Sequence, residues 1–298
     1  MTEAPTRRLL IVDGHAYAYR GFHAIRSLSS PSGRPTNAIF GFVKAVTKMR
    51  GDINPALALV AWDGGLSTER MALLPEYKAQ RPSMPPELEE QLDQMVEWLG
   101  ASGLASHCRD GVEADDWIAT VARRAVVEGV DVVIASSDKD FMQLVCPRVG
   151  LLNPNDKSGK IWTDAEVREK SGVEPAQIVD WLSLVGDSVD NIPGVPGIGV
   201  KTAASLLRRF GSIEGILGRL AEVESDRLRS ALAASRSILE RNRSMIRLKD
   251  DLPGEAGMDG LVIRAADVGR LKEVYTRWGF GSLQRALPGE DSGQGELF

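Results

Sequence analysis

Two cysteines and three histidines are too few, and too scattered, to build a zinc site or a disulfide framework in a chain of 298 residues. Cys108 and Cys146 have no Cys or His partner at ligand spacing, so each reads as an ordinary small core or surface residue of a reduced compartment. Long hydrophobic runs are missing as well. The first apolar run, Leu9 to Val12, is too short for a signal peptide and far too short for a membrane span. The chain therefore reads as cytoplasmic, with no membrane partner and nothing that calls for a second copy, hence a monomer. Net positive charge is the third absence. A formal charge of −5 runs against binding a polyanion, which calls for a basic footprint.

That average hides two opposed populations. The stretch Lys201 to Lys249 carries 11 Lys or Arg against five acids. Nine carboxylates elsewhere, seven in three tight groups and two standing alone, make up the opposite population, and neutralising those nine turns −5 into +4. A solvated helical surface would also explain the basic excess.

The length suits one large domain or two modest ones. Leu9-Leu-Ile-Val12 reads as a buried strand ending in a polar loop at Asp13-Gly14, with a helix following over Ala38 to Met49. Leu57 to Trp62 repeats the strand pattern and ends at Asp63-Gly64-Gly65. Val130 to Ala135 repeats it again before Ser136-Ser137-Asp138, after a helix over Ala114 to Val127. Strands alternating with helices predict an α/β fold with a mostly parallel central sheet, whose ligands gather beyond the carboxyl ends of the strands. Between the second strand and a helix over Glu87 to Leu99 lies a basic, proline-interrupted segment, Thr68 to Pro86, with no strong core-facing stripe in its first half. It is expected to be a cover, about 66–86, that orders when ligand is present. Helices over Pro175 to Leu184, Val200 to Phe210 and Ser225 to Asn242 make the remainder helical. The expected division is an α/β core over 1–174, a helical region over 175–287, and a flexible tail over 288–298.

Glu113-Ala-Asp115-Asp116 opens a helix, where free N–H groups favour negative charge. Capping explains one acid there, not three in four positions. Asp138-Lys-Asp140 follows a strand, and Asp187 and Asp190 stand three apart. Any one group reads equally well as a cap or polar turn. Three groups plus two strand-end aspartates repel one another unless cations compensate them. Oxygen-only donors point to Mg²⁺ or Mn²⁺, two or more ions. Such pairs, about 4 Å apart, activate water and stabilise attacking and leaving oxygens in phosphoryl displacement.

The sequence resembles the bacterial 5′ nuclease family, which includes the 5′→3′ exonuclease domain of DNA polymerase I and flap endonucleases. The likeness runs from about Leu9 to Leu287 through Asp13-Gly-His-Ala-Tyr-Ala-Tyr-Arg20, Glu76-Tyr-Lys-Ala-Gln-Arg81, Glu113-Ala-Asp-Asp116, Ser137-Asp-Lys-Asp140 and Gly186-Asp-Ser-Val-Asp-Asn-Ile-Pro-Gly-Val-Pro-Gly-Ile-Gly199. It implies structure-selective 5′→3′ exonuclease and flap endonuclease activity on branched, nicked or flapped DNA. It also implies that Asp13, Asp63, Glu113, Asp115 and Asp116 surround a first metal and that Asp138, Asp140, Asp187 and Asp190 hold a second. Lys78 and Arg81 match residues that approach the scissile phosphate, with Tyr77 expected to stack on a displaced base and Arg20 to contact phosphate or pair with a carboxylate. The loop containing Gly194, Gly197 and Gly199, followed by Lys201 and Thr202, looks like a helix-hairpin-helix that grips duplex DNA through its backbone, with K⁺ bridging loop and phosphate. Two positions depart from the family pattern: Gly65 where a basic residue is usual near Asp63, and Glu69 where an aromatic is usual between Thr68 and Arg70.

The last residues, Gln294-Gly-Glu-Leu-Phe298, resemble the short peptides by which bacterial replication and repair proteins dock on the sliding clamp, with Gln294, Leu297 and Phe298 as contacts. Gly295 stands where an apolar residue is more usual. Two further readings stand beside the nuclease one: a structure-selective ribonuclease using the same sheet and acids, and a noncatalytic DNA-binding adaptor that keeps the hairpin, against which the full set of nine carboxylates argues. No polymerase-sized segment follows Phe298, so the chain is expected to be either a separate nuclease or one part of a longer protein.

Overall fold

Leu9 to Val12 are apolar at every position, as a strand covered on both faces must be, and they form the centre of a five-stranded parallel sheet in the order β3-β2-β1-β4-β5. The strands are β1 (Arg8–Asp13), β2 (Leu57–Trp62), β3 (Ala105–Cys108), β4 (Asp131–Ala135) and β5 (Val149–Leu152). The computed structural model describes residues 7–254 and 257–288, so the tail residues Gln294, Leu297 and Phe298 lie outside the described residues. Three strands are those expected from sequence. The edge strands β3 and β5 are additional.

Around the sheet run α1 (Gly14–Ala24), α2 (Asn37–Ile53), α3 (Thr68–Leu73), α4 (Pro86–Ala101), α5 (Ala114–Val127) and α6 (Asp164–Ser171). There follow α7 (Ile178–Val185), α8 (Val200–Phe210), α9 (Ile213–Gly218), α10 (Asp226–Ala234), α11 (Arg236–Ile246), α12 (Val268–Trp278) and α13 (Gly281–Arg285). No helix among the described residues is long and apolar enough to cross a membrane.

Side chains alternate across a strand, and that alternation divides the core in two. Leu9, Ile11, Leu59 and Ile134 pack under α5, and the same cluster continues through residues of α7 and α8. Leu10, Val12, Val60 and Val133 pack under α1, α2, α4 and α12. The last member is unexpected, because sequence placed everything from 175 to 287 in the helical region. Leu271, Val274, Tyr275 and Trp278 of α12 instead return to the α/β layer, where Trp98 Nε1 donates to the Tyr275 hydroxyl at 2.9 Å.

Two local expectations also change. The polar loop at Asp13-Gly14 is the start of α1, and Asp13 caps it by accepting the Ala16 N–H at 3.0 Å. The single helix over Ser225 to Asn242 is two, because buried Ser235 leaves helical geometry (φ −101, ψ 13) and separates α10 from α11.

Candidate active site

The strand order reverses direction between β1 and β4, the place where open parallel sheets collect ligands. A cavity of about 690 Å³ opens there, lined by Asp13, Asp63, Asp115, Asp138 and Asp187 together with His15, Tyr19, Lys78, Arg81 and Lys139. Five of the nine carboxylates singled out from sequence therefore share one hollow.

Four of the five are held by polar contacts with their neighbours. Asp13 accepts the Ser136 hydroxyl at 2.7 Å, and Ser136 Oγ in turn accepts the Asp138 N–H at 3.1 Å. Asp63 follows β2 and accepts the Ala114 N–H at 2.8 Å, so it caps the helix that carries Asp115. Its own N–H donates to His15 Nδ1 at 3.1 Å. Asp187 meets the Lys139 ammonium at 3.0 Å. Lys139 is a cavity residue that the sequence reading passed over, although it lies between two of the chosen aspartates.

Burial, reinforced by neighbouring carboxylates, pushes Asp13 up to about 6. The same causes in the same order raise Asp115 and Asp140 well above the ordinary aspartate range, and burial raises Asp138. Asp140 Oδ1 is buried without a hydrogen-bond partner. Among the described residues no group of three or more His, Cys, Asp or Glu side chains is already gathered around one point as in a closed metal site. The chemistry nevertheless fits a hard divalent cation: all donors are oxygens, one is an orphan, and the cluster's excess negative charge is costly without compensation.

Glu113 and Asp116, expected beside the first metal, do not line the cavity. Arg70 occupies both: its Nη1 lies 2.7 Å from Glu113 Oε2 and 2.8 Å from Asp116 Oδ2, and its Nη2 lies 2.7 Å from Asp116 Oδ1. Arg70 Nε donates to the Met245 carbonyl at 2.7 Å. The guanidinium is 5% exposed, and burial, which would depress it, is outweighed by the two carboxylates, so it stays raised. The cover is thus anchored by a polar plug, with Leu74 and Tyr77 its buried apolar contacts and no continuous apolar stripe, which is why sequence periodicity gives it no foothold. Glu69, at the position of a family aromatic, pairs with Lys249 at 2.7 Å. Gly65 lines the cavity.

Tyr77 also departs from expectation. Its ring is 4% exposed and its hydroxyl donates to Glu113 at 3.1 Å and approaches Asp190 Oδ2 at 3.3 Å, so it is not offered to a displaced base. Tyr19 and His15 are the aromatic rings on the cavity wall. Burial keeps His15 below the ordinary histidine value. Lys78 does reach the cavity. Burial lowers its ammonium, but Glu113 at 3.3 Å and the nearby Asp190 and Asp115 outweigh that and hold it raised. Arg81 lies on the rim and pairs with Asp190 at 2.6 Å.

Lys78 and Asn191 both adopt left-handed backbone, φ 56 and 59. For a lysine this costs roughly 1–2 kcal/mol, whereas asparagine tolerates it better. The two face each other across the junction between the cover and a short antiparallel hairpin, β6 (Gly186–Asp187) paired with β7 (Ile192–Pro193).

That hairpin leads into the Gly194 to Gly199 loop between α7 and α8. A Cβ on Gly194 would meet the Val185 carbonyl carbon at 2.3 Å, and Gly197 has φ +82, so both positions require glycine. Gly199 is different, since a Cβ there would meet nothing within 4 Å. Glycine at this N-cap leaves the first amides of α8 uncovered, beside exposed Lys201 and half-buried Thr202. A helix start of this kind accepts phosphate. Arg20 is exposed and reaches Asn155 at 3.4 Å rather than a carboxylate.

The chain is similar in sequence and fold to known proteins. The description "5′-3′ exonuclease, N-terminal resolvase-like domain" matches residues 8–172, and "5′-3′ exonuclease, C-terminal SAM fold" matches residues 173–269. The chain is 37% identical to DNA polymerase I of Bacillus caldotenax over 96% of its own length and 33% of that protein's. It thus spans about a third of the length of the polymerase relatives it matches. It is 37% identical to the 5′-3′ exonuclease of Aquifex aeolicus (strain VF5), covering 94% of this chain and 95% of that one. Among solved structures, bacteriophage T5 flap endonuclease in a pseudo-enzyme-product complex with DNA and metal ions superposes with a TM-score of 0.69 at 25% identity, over 82% of this chain and 90% of that one.

Proposed function

The chain belongs to the 5′-3′ exonuclease family, and from that premise we propose that it is a divalent-metal-dependent 5′ nuclease that hydrolyses phosphodiester bonds in flapped, nicked or branched DNA. The observation that carries this reading is the convergence of five aspartates on one cavity at the carboxyl ends of parallel strands, with Lys78 and Arg81 beside them. Asp13, Asp63 and Asp115 would face a first Mg²⁺ or Mn²⁺, and Asp138, Asp140 and Asp187 a second. Glu113 and Asp116 are taken up by Arg70, while Asp190 is shared with Arg81. When bound, such cations activate water and neutralise charge on the reacting phosphate.

The protein's own groups do the rest. The amides opening α8, with Lys201, Thr202 and the Gly194, Gly197 and Gly199 loop, hold duplex backbone without reading sequence. K⁺ is the cation proposed for that loop. Lys78 and Arg81 draw the scissile phosphate into the cavity and stabilise the charge that develops on it. Terminal pairs must open for the phosphate to reach the aspartates, at the cost of local unstacking. Water oxygen then bonds to phosphorus as the bond to the 3′ oxygen breaks, and a proton passes to that oxygen, leaving 5′-phosphate and 3′-hydroxyl ends.

Labelled nicked, gapped, flapped, blunt and single-stranded DNA, with matched RNA, offered with Mg²⁺ or with EDTA, tests the reading. Cutting near the flap junction, dependent on metal and indifferent to scrambled duplex sequence, is expected. Equal cleavage in excess EDTA, or preference for RNA, would overturn it. The protein is read as a monomer, and Gln294, Leu297 and Phe298 as a clamp-docking tail. Deleting residues 294–298 should abolish binding to the clamp of the same organism in calorimetry while leaving flap cutting unchanged.

A further inference from the structure

Within the inner turn of the cover, Leu74 to Arg81, the backbone bonds are short-range, such as Tyr77 N–H to Leu74 O at 2.9 Å and Arg81 N–H to Lys78 O at 3.0 Å, and the side chains of Tyr77 and Arg81 reach out to Asp190. Nothing in those bonds requires Lys78 to take a left-handed backbone. What does so lies across the junction, in the turn between β6 and β7. The Lys78 N–H donates to the Asp190 carbonyl at 3.0 Å. Asn191 Nδ2 donates to the Glu76 carbonyl at 2.8 Å, and Asn191 Oδ1 accepts from Gln80 Nε2 at 3.1 Å. One side chain therefore grips the turn on both sides of Lys78, using its donor on one and its acceptor on the other.

Few residues can do this. The position needs a donor and an acceptor on one short side chain, and a backbone at φ 59. Asparagine supplies all three; aspartate lacks the donor and glycine both side-chain groups. Strain of this sort persists where the surroundings over-determine it, and it collects at working sites. Here the clasped Lys78 side chain is 5% exposed, lines the cavity and brings its ammonium to 3.3 Å from Glu113.

We infer that Asn191 is a positioning residue, which clasps the inner turn of the cover so that Lys78 is aimed into the aspartate cavity. Asn191 also stands just before the Gly194 to Gly199 loop, so the clasp ties Lys78 to the element that holds duplex backbone. A duplex seated on that loop therefore finds Lys78 already placed. The inference rests on the proposed reading of Lys78 as a phosphate-facing cation.

Single-turnover cleavage of 5′-flap DNA, alongside DNA affinity measured in EDTA, separates the two ideas. Asn191→Ala loses both bonds and disfavours the backbone; Asn191→Gly keeps the backbone and loses only the bonds; Asn191→Asp keeps the acceptor for Gln80. Both Ala and Gly variants should lose on the order of tenfold to a hundredfold in rate with affinity nearly unchanged, and the Asp variant should fall between them and wild type. Asn191→Gly added to Lys78→Ala should cost nothing more, since one acts through the other. A merely structural role predicts additive losses instead, and that result, or a wild-type rate for Asn191→Gly, overturns the inference. A wild-type rate for Lys78→Ala would instead overturn the reading of Lys78 itself. If Asn191→Ala melts early, Asn191→Gly and Gln80→Ala, which cuts one exposed bond, carry the test.

Discussion

Replacing Arg70 by Met should destabilise the fold while adding apolar volume where a buried cation stood. Arg70 makes three contacts of 2.7–2.8 Å to Glu113 and Asp116 and one of 2.7 Å to the Met245 carbonyl. With the guanidinium gone, Asp116 keeps only the Lys249 N–H at 3.0 Å, and Glu113 keeps Lys78, Tyr77 and the Ser67 N–H. Both carboxylates remain buried. Removing one partner of a buried pair costs about 3–5 kcal/mol, because the other charge is left uncompensated. In a chain of this size that lowers the melting temperature by roughly 8 °C. Urea unfolding followed by circular dichroism measures it directly. The variant Arg70→Met with Glu113→Gln and Asp116→Asn isolates the cause, since neutral partners need no cation, and it should recover most of the loss. The reasoning fails if Arg70→Met unfolds within about 1 kcal/mol of wild type, or if the triple variant is no more stable than the single one.

Chelated protein should lose stability as pH rises. Asp13 has its folded value near 6 against 3.8 for an unperturbed aspartate, so the folded state holds the extra proton between those values and its advantage disappears as pH climbs through them. The full effect is about 3 kcal/mol, roughly half of it between pH 5 and 7.5; urea midpoints in EDTA should show a flatter pH slope for Asp13→Asn, and identical slopes would refute the assignment. Asp140→Asn and Asp187→Asn should each cut single-turnover rate on the order of a hundredfold or more with duplex affinity nearly intact, and near-normal rates in both would show the cation-holding group to be wrong. Lys201→Ala should weaken duplex binding and reduce its salt dependence by about one unit of slope while leaving the rate at saturating enzyme unchanged; an unaltered salt slope in a binding titration would exclude a phosphate contact.

The central strands were legible because β1, β2 and β4 each contain an unbroken apolar run, Leu9 to Val12, Leu57 to Trp62 and Val132 to Ala135, with an aspartate within three residues of its end, a pattern set by burial on both faces. The edge strands were not, since Ala-Ser-His-Cys of β3 alternates between half-buried and exposed and has no apolar run. Sequence likewise located the aspartates but not the direction in which they point. Asp115 and Asp116 are neighbours on one helix, yet one faces the cavity and the other Arg70. That division depends on a residue 46 positions away, and such distant pairing leaves no local periodicity to read. Asn191 escaped for a similar reason: its meaning lies in Glu76 and Gln80, more than a hundred positions earlier.

The return of α12 to the sheet has a consequence for modularity. The helical region is not appended to the α/β layer but spliced into it, leaving after α6 and coming back where Ile263 N–H meets the Ala56 carbonyl at 3.2 Å and the Arg264 N–H meets the Gly103 carbonyl at 3.0 Å. A fragment cut at residue 172, where one family match ends and the next begins, would strip Leu271, Val274, Tyr275 and Trp278 from α4 and its neighbours and leave a greasy face open to water. The two halves of this chain are therefore poor candidates for exchange between relatives by simple truncation. A transplant that respects the architecture has two junctions, near residues 173 and 258, and keeps α12 with the α/β layer it packs on.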